Sequence, residues 1–270
     1  MILAVDAGNT RVKGALVGSS GVVPIFTLAT ASVPAEPWAL SKVLETSGTK
    51  LRRVEGVVVC SVVPELDRPL SSALRRATGH PALFVRHTWR FPFRVGVAKP
   101  AKLGADRLCA AAGALGPRRE NAIVVDIGSA VTVDLVTARE FRGGLIMPGP
   151  GLGLWALGNY ARRLPKIAPR KVSARFPKRF NDTEPSMILG VQLGVVGAIA
   201  EAVRELRRVS GRSPSVFVTG GGARLVVGRL PRGWVWDPHL VSKGVYRVWR
   251  LNRVCPPATA GRADPTKKRP

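Results

Sequence analysis

Val5-Asp6-Ala7-Gly8-Asn9-Thr10 and, 120 positions later, Val125-Asp126-Ile127-Gly128-Ser129-Ala130 decide the reading of this chain. Each stretch ends a short apolar run, Ile2 to Val5 and Ala122 to Val125, and turns back into another, Val12 to Val17 and Val131 to Val136. A strand, then Asp-x-Gly with a small hydroxyl or amide residue, then a strand is a hairpin suited to phosphate. The carboxylate can hold a metal ion or a water, and the glycine lets an anion approach the backbone N–H groups. Two such hairpins, each opening one half of the chain, predict a duplicated domain with a nucleotide in the cleft between the copies.

The flanking sequence supports an α/β fold. In the first half, strands are expected at 2–6, 12–17 and 25–28, with Pro24 just ahead of the third, where its missing N–H is tolerated. A helix over 37–46, an almost wholly apolar strand over 57–63, a helix over 64–77 and a strand over 82–85 follow. An Ala-rich helix after Gly104 leads to Gly116-Pro117, the expected boundary between an N-terminal domain, 1–117, and a C-terminal domain, 118–255. The second half opens on the same strand pattern. A Pro148-Gly149-Pro150-Gly151 turn, a helix over 154–163, a basic loop and a long helix over 184–209 come next. A strand over 216–219, a glycine turn and a helix over 240–251 complete it. The basic tail, 256–270, is expected to be disordered.

With 46% hydrophobic residues in 270, the chain can bury a full core. The opening run shows no basic leader or cleavage pattern, so a cytoplasmic location is expected. The longest apolar run, Met187 to Val203, is interrupted by Gln192 and Glu201 and reads as a buried helix, not a membrane span. Cys60, Cys109 and Cys255 are too widely spaced for a metal site and fit free thiols in a reducing compartment; His80, His87 and His239 add no ligand pattern. The oddity is charge: 42 basic against 17 acidic residues, net +25. Much of the excess lies between Arg162 and Arg179, a segment without a single acid. Such a field attracts anions, including polyanions. Only Phe176 and Phe180 are at hand to stack on bases, and no nucleic-acid-binding motif is present, so specific nucleic-acid recognition is not indicated, although charge alone leaves it open.

No P-loop pattern is present, and Gly151-Leu-Gly153-Leu-Trp-Ala156 lacks the acid that a dinucleotide site needs at the right distance. Asp6 and Asp126 sit where apolar strands run out, a costly place for a carboxylate without a partner. Asn9, Thr10 and Ser129 can supply phosphate contacts, and Lys13 either faces the same site or is solvated. Gly104-Ala105-Asp106-Arg107 puts an acid beside a base at a helix start that already favours anions. Asp106 is there either a first-turn acid or a general base; Arg107 is either a surface residue or an anchor for a substrate carboxylate. Thr219-Gly220-Gly221-Gly222 is either a plain turn or a place where a nucleoside approaches the backbone.

In this order the motifs resemble the type III pantothenate kinases, a family of the acetate and sugar kinase, Hsp70 and actin superfamily with duplicated ribonuclease-H-like halves. The family's D-x-G-N-T is matched by Asp6 to Thr10, its G-x-D-R by Gly104 to Arg107, and its D-x-G-T-A by Asp126 to Ala130. The G-G-x-I-x-P-G run is matched by Gly143 to Gly149, and T-G-G by Thr219 to Gly221; the N-T-x-x-A-I-x-x-G region fits Asp182 to Gly190 loosely. The resemblance implies ATP-dependent phosphorylation of pantothenate in a cytoplasmic homodimer, with no membrane partner. It implies an ATP phosphate loop of Asp6, Ala7, Gly8, Asn9, Thr10, Arg11, Val12 and Lys13, with Ser129 touching ATP and Mg2+ accompanying it. Asp126 would bind a monovalent cation, potassium or ammonium. Asp106 would be the base, and Gly104, Ala105, Asp106, Arg107 and Thr183 would hold pantothenate. Ser129 replaces the family's usual Thr, and Val97 stands where family members carry a substrate-contacting Tyr. With the net charge, Val97 gives a rival reading: a catalytically silent relative that binds nucleic acid or other polyanions.

Overall fold

The computed structural model describes residues 1–35, 37–47, 51–116, 119–168, 172 and 176–253. Two sheets carry the fold. The first holds β1 (Ile2–Ala7), β2 (Arg11–Gly18), β3 (Gly21–Ala29), β4 (Val57–Ser61) and β5 (Ala82–Phe84) in the order β3-β2-β1-β4-β5. The second holds β7 (Ala122–Ile127), β8 (Ala130–Thr137), β9 (Glu140–Pro148), β10 (Ser215–Thr219) and β11 (Val235–Trp236) in the equivalent order, β9-β8-β7-β10-β11. In both, the first three strands form an antiparallel meander and the last two add in parallel. The duplication extends to burial: β1 and β7 share one inside–outside pattern, as do β2 and β8. The turn after β7 is one residue shorter than the turn after β1, so the copies run 120 positions apart in their first strands and 119 in their second.

Among the described residues the α-helices are α1 (Ser32–Ala35), α2 (Pro37–Thr46), α3 (Asp67–Thr78), α4 (Ala105–Ala114), α5 (Pro150–Tyr160), α6 (Thr183–Ser210) and α7 (Leu240–Arg253). The near-continuous apolar strands require cover on both faces. Leu40, Leu44, Leu70 and Leu74 from α2 and α3 cover one face of the first sheet, and Val195, Ile199 and Val203 from α6 cover one face of the second. The other faces, with Ile2, Ala4 and Val58 on one side and Ala122, Val124 and Phe217 on the other, enclose α4 and α7 in a single core. That α4 reads Ala110-Ala111-Ala112-Gly113-Ala114 is the reason it fits there: small side chains let it cross α7 backbone to backbone. A Cβ on Gly244 would run into the carbonyl oxygen of Cys109, and one on Gly113 into that of Leu240.

Several expectations are corrected. Pro24 lies inside β3, not ahead of it; β3 is an edge strand, and its pairing with β2 slips between Gly14 and Ala15 beside Pro24. A short strand, β6 (Arg94–Val95), comes from the first half yet pairs with β9 in the second sheet. The last helix packs against β1, β2 and β4 of the first sheet. Sheet membership therefore changes near Gly116, but β6 and α7 cross over; Pro117 falls outside the described residues, as do Arg170, Lys171, Arg175, Cys255 and the 256–270 tail. The Pro/Gly turn at 148–151 is instead the start of α5, with Gly149 as N-cap and Pro150 in the first turn, where a missing N–H does no harm. The glycine turn at 220–222 leads into two short 3-10 turns, Ala223–Leu225 and Val227–Arg229.

The reading of α6 as a buried helix is also corrected. It is long and apolar enough to cross a membrane by length and composition. One of its faces nevertheless packs into the second core, where Gln192 is buried and donates to the Leu225 carbonyl (2.9 Å). The opposite face, with Gly190, Leu193, Gly194 and Gly197, is exposed.

The helix crossing yields a test. Gly244→Ala should overpack the α4–α7 contact at a cost of about 1–3 kcal/mol. A lower thermal midpoint by circular dichroism is expected; an unchanged one would mean the two helices can separate freely.

Candidate active site

Asp6 and Asp126 occupy the same position in the two copies, the last residue but one of β1 and β7, half-buried at the carboxyl ends of the strands. Their cross-strand neighbours differ. Asp6 lies opposite Lys13 on β2, whereas Asp126 lies opposite Thr132 on β8 and beside Thr219 on β10. Burial raises the Asp6 carboxyl to about 6, held down by Lys13 and pushed up by Asp106. Burial raises Asp126 to about 7, with Asp6 and Asp106 adding to the rise and Lys13 opposing it. The copy without a lysine directly opposite is the one displaced further. Asp106, in the first turn of α4, is also raised by burial, against the backbone N–H and guanidinium of Arg107. Three carboxylates, one from each hairpin and one from the helix between the sheets, thus share one field.

The turns that carry these acids converge. Gly8 N–H donates to Arg11 O (3.0 Å) and Gly128 N–H to Ala130 O (2.9 Å), so both hairpins close in the same way. Thr10 and Ser129 hydrogen-bond through their side-chain oxygens, joining the two tips. Gly222 N–H donates to Ile127 O (2.7 Å), which docks the third turn on the second hairpin. Gly220, at φ +95°, lies so close that a Cβ there would strike Asp126 Oδ1, while Gly221 lies against the Arg11 side chain. These loops sit at the carboxyl ends of the central strands, where open α/β sheets bind ligands. A cleft of about 590 Å3, lined by Arg119, Asn121 and Ser215, opens at the opposite ends of β7 and β10, remote from the carboxylates.

Within the phosphate loop expected from sequence, Asn9, Thr10 and Arg11 are exposed, while Ala7 and Val12 are buried as a cross-strand pair and can offer only backbone. Gly104 caps α4, and a side chain there would collide with the Asp106 carboxylate. Asp106 Oδ1 accepts from Arg107 N–H (2.8 Å). Val97 is half-buried in the central core and borders Gly143, so its side chain serves packing here. Arg107 is neither a surface residue nor a free anchor: it forms an ion pair with Asp134 of β8. Sequence reasoning passed over Asp134. Its signal was an acid in the middle of the apolar run Val131 to Val136, where an unpaired charge would be expensive. Thr183 is not drawn into this cluster by any contact among the described residues. It begins α6, is exposed, and donates its N–H to Asp182 (2.6 Å) beside a separate open cleft.

Among the described residues, no group of three or more His, Cys, Asp or Glu side chains is placed to hold a metal by protein ligands alone. Asp6 and Asp126 offer instead two carboxylates short of positive charge beside N–H-rich turns. That donor set suits a cation completed by phosphate oxygens and water.

The type III pantothenate kinase family model matches residues 2–205. The type III pantothenate kinase of Hyphomonas neptunium is 34% identical over 94% of this chain and 100% of its own length, and that of Caulobacter vibrioides 31% identical over 94% and 98%. In fold, the chain is similar to a ROK family glucokinase from Streptomyces griseus solved with glucose and AMPPNP, at TM-score 0.56 and 12% identity over 94% of this chain and 99% of that one. The two equivalent sheets are thus ribonuclease-H-like units in fold. With the paired Asp-Gly turns, the Gly104–Arg107 helix start and the match over most of its length, this chain belongs to the type III pantothenate kinase family.

Proposed function

We propose that the protein transfers the γ-phosphoryl group of ATP to the primary hydroxyl of pantothenate, the first step towards coenzyme A, with Asp106 as the base. One observation carries this reading. The Asp106 carboxylate, lifted by burial, stands at the start of α4 in the same electrostatic field as the two phosphate-type turns. A base with a raised pKa accepts a hydroxyl proton more readily, and phosphoryl transfer otherwise needs alignment and charge neutralisation. Asp6 to Lys13 and Ser129 position the ATP phosphates through backbone N–H groups, hydroxyls and the Lys13 ammonium. Gly104 to Arg107 hold pantothenate, its hydroxyl near Asp106. As the hydroxyl oxygen attacks the γ-phosphorus, its proton passes to Asp106 and ADP leaves. Asp6 would hold the Mg2+ that accompanies ATP and Asp126 a monovalent cation, which would supply neutralisation of charge on the phosphates. We take 1–117 and 118–255 as the two units and the cytoplasm as the location.

A homodimer is supported by the surface of the second half. Ile146, Leu152, Trp155, Tyr160, Phe180 and Leu193, on β9, α5, α6 and the loop between the helices, are all exposed. An apolar surface of this kind marks an interface. Pairing through α6 would place Thr183, at its exposed end, beside the subunit boundary, where it can contact pantothenate. Nothing specific favours the polyanion-binding alternative: Phe176, one of two rings near the basic segment, is already covered by the protein's own Arg229 (4.7 Å).

Three outcomes test this reading. Purified protein given ATP, Mg2+, K+ and pantothenate should form 4'-phosphopantothenate, and Asp106→Asn should lower kcat by on the order of a hundredfold or more while leaving the thermal midpoint intact. Absence of product from the wild type with any monovalent cation would refute it. The second concerns pH. Because Asp6 and Asp126 titrate near 6 and 7 when folded, against 3.8 ordinarily, the folded chain holds protons that the unfolded chain releases. Stability should therefore fall as pH rises from about 4 to about 7, and level off above. In thermal melts K+ should stabilise more at pH 8 than at pH 5.5, and Asp126→Asn should remove most of that difference. Third, Leu193→Glu should convert a dimer to a monomer in sedimentation velocity; a wild-type monomer would rule out the α6 interface.

A further inference from the structure

We infer that Asp134 is the positioning residue for Arg107, holding its guanidinium side-on so that its remaining edge is presented to the carboxylate of the acceptor substrate. This rests on the kinase reading above and deepens it.

Asp134 is 1% exposed, in the middle of β8, and its neighbours are arranged around this one contact. Arg107 Nε donates to Oδ1 (3.1 Å) and Oδ2 (3.0 Å), and Nη2 donates to Oδ1. Thr132, two residues earlier on the same face, hydrogen-bonds the carboxylate as well. The guanidinium lies 5.9 Å from the centre of the Phe141 ring. On the other side β9 gives way: pairing jumps from Asp134–Gly144 to Val136–Phe141. Gly143 takes up this slip at φ +84°, and a side chain at Gly144 would come within 2.8 Å of Asp134 Oδ1. A side chain at Gly144 would first meet the Val133 carbonyl oxygen, so this glycine serves the close approach of β9 to β8 beside Asp134.

Stability alone is a weak reason for such a pair, because apolar replacements of a buried ion pair are often neutral or stabilising. Burial raises the Asp134 carboxyl in spite of the arginine beside it, so the site works against its own charge. What the pair provides is geometry. Nε and Nη2 are engaged, and Nη1 makes no hydrogen bond among the described residues. An arginine held by one edge keeps a fixed pair of donors for a ligand carboxylate on the other. Its own N–H meanwhile orients the Asp106 carboxylate, so one residue links the proton acceptor to the grip on the substrate's far end.

The test compares pantothenate with its uncharged carboxamide analogue as acceptors. For Asp134→Asn we expect KM for pantothenate to rise on the order of ten- to a hundredfold. KM for ATP and for the carboxamide should be unchanged, so the preference for acid over amide collapses; Asp134→Glu should restore part of it. A folded Asp134→Asn protein that keeps its acid-over-amide preference would overturn the inference, as would a parallel loss for both acceptors and ATP, the mark of a structural role. Should Asp134→Asn not fold, Asp134→Glu is read in its place: a preference for acid over amide reduced below that of the wild type supports the inference, and one equal to the wild type's overturns it. Wild-type protein that phosphorylates neither acceptor would remove the kinase reading itself, a result distinct from an active enzyme indifferent to Asp134.

Discussion

The rest of this structure depends on one backbone-to-backbone contact, the crossing of α4 and α7 at Gly113 and Gly244. Both helices lie between the two sheets, and their side chains fill a core shared by both halves. Interiors pack at crystal-like density, so the separation of the sheets is set by how closely these helices approach. That separation decides whether the hairpin tips meet, as Thr10 and Ser129 do, and where the start of α4 delivers Asp106 and Arg107. A run of alanines and glycines with little local character thus governs the geometry of the site.

The second organising quantity is charge. A protein with net +25 has gathered Asp6, Asp106, Asp126 and Asp134 at the junction of its sheets. Lys13 opposes the charge of the first and third, and Arg107 is committed to the fourth. The carboxylates are raised because burial deprives them of water and because they repel one another. On the proposed function, cations carried in with phosphate would relieve that repulsion. The basic surface elsewhere attracts anions to the protein, while the site distinguishes among them.

The divergence of the two copies has a local cause. The first hairpin has one more residue in its turn and a lysine across from its aspartate; the second has a threonine there and a docked glycine turn. The first is therefore better suited to phosphate oxygens, and the second to a cation. Duplication supplied two equivalent frames, and single residues at equivalent positions gave them different chemistry.

Much of what depended on near neighbours was legible in the sequence, although the start of α5 at Pro150 and the place of Pro24 within β3 were misread. The two strand–turn–strand units, the apolar strands with their helical cover, the helix start at Gly104 and the motif order follow from local patterning, because turn chemistry and periodicity act over a few residues. Relations between distant segments were not. Pairing of β6 with β9 rests on two residues, too few for a pattern. The exposed face of α6 looks as apolar as its buried one, so composition could not tell which side was covered. Asp134 is an acid within an apolar run and Arg107 a base at a helix start, yet nothing local joins residues 27 positions apart. Only the packing of α4 over β8 brings them together, and burial then makes their pairing obligatory.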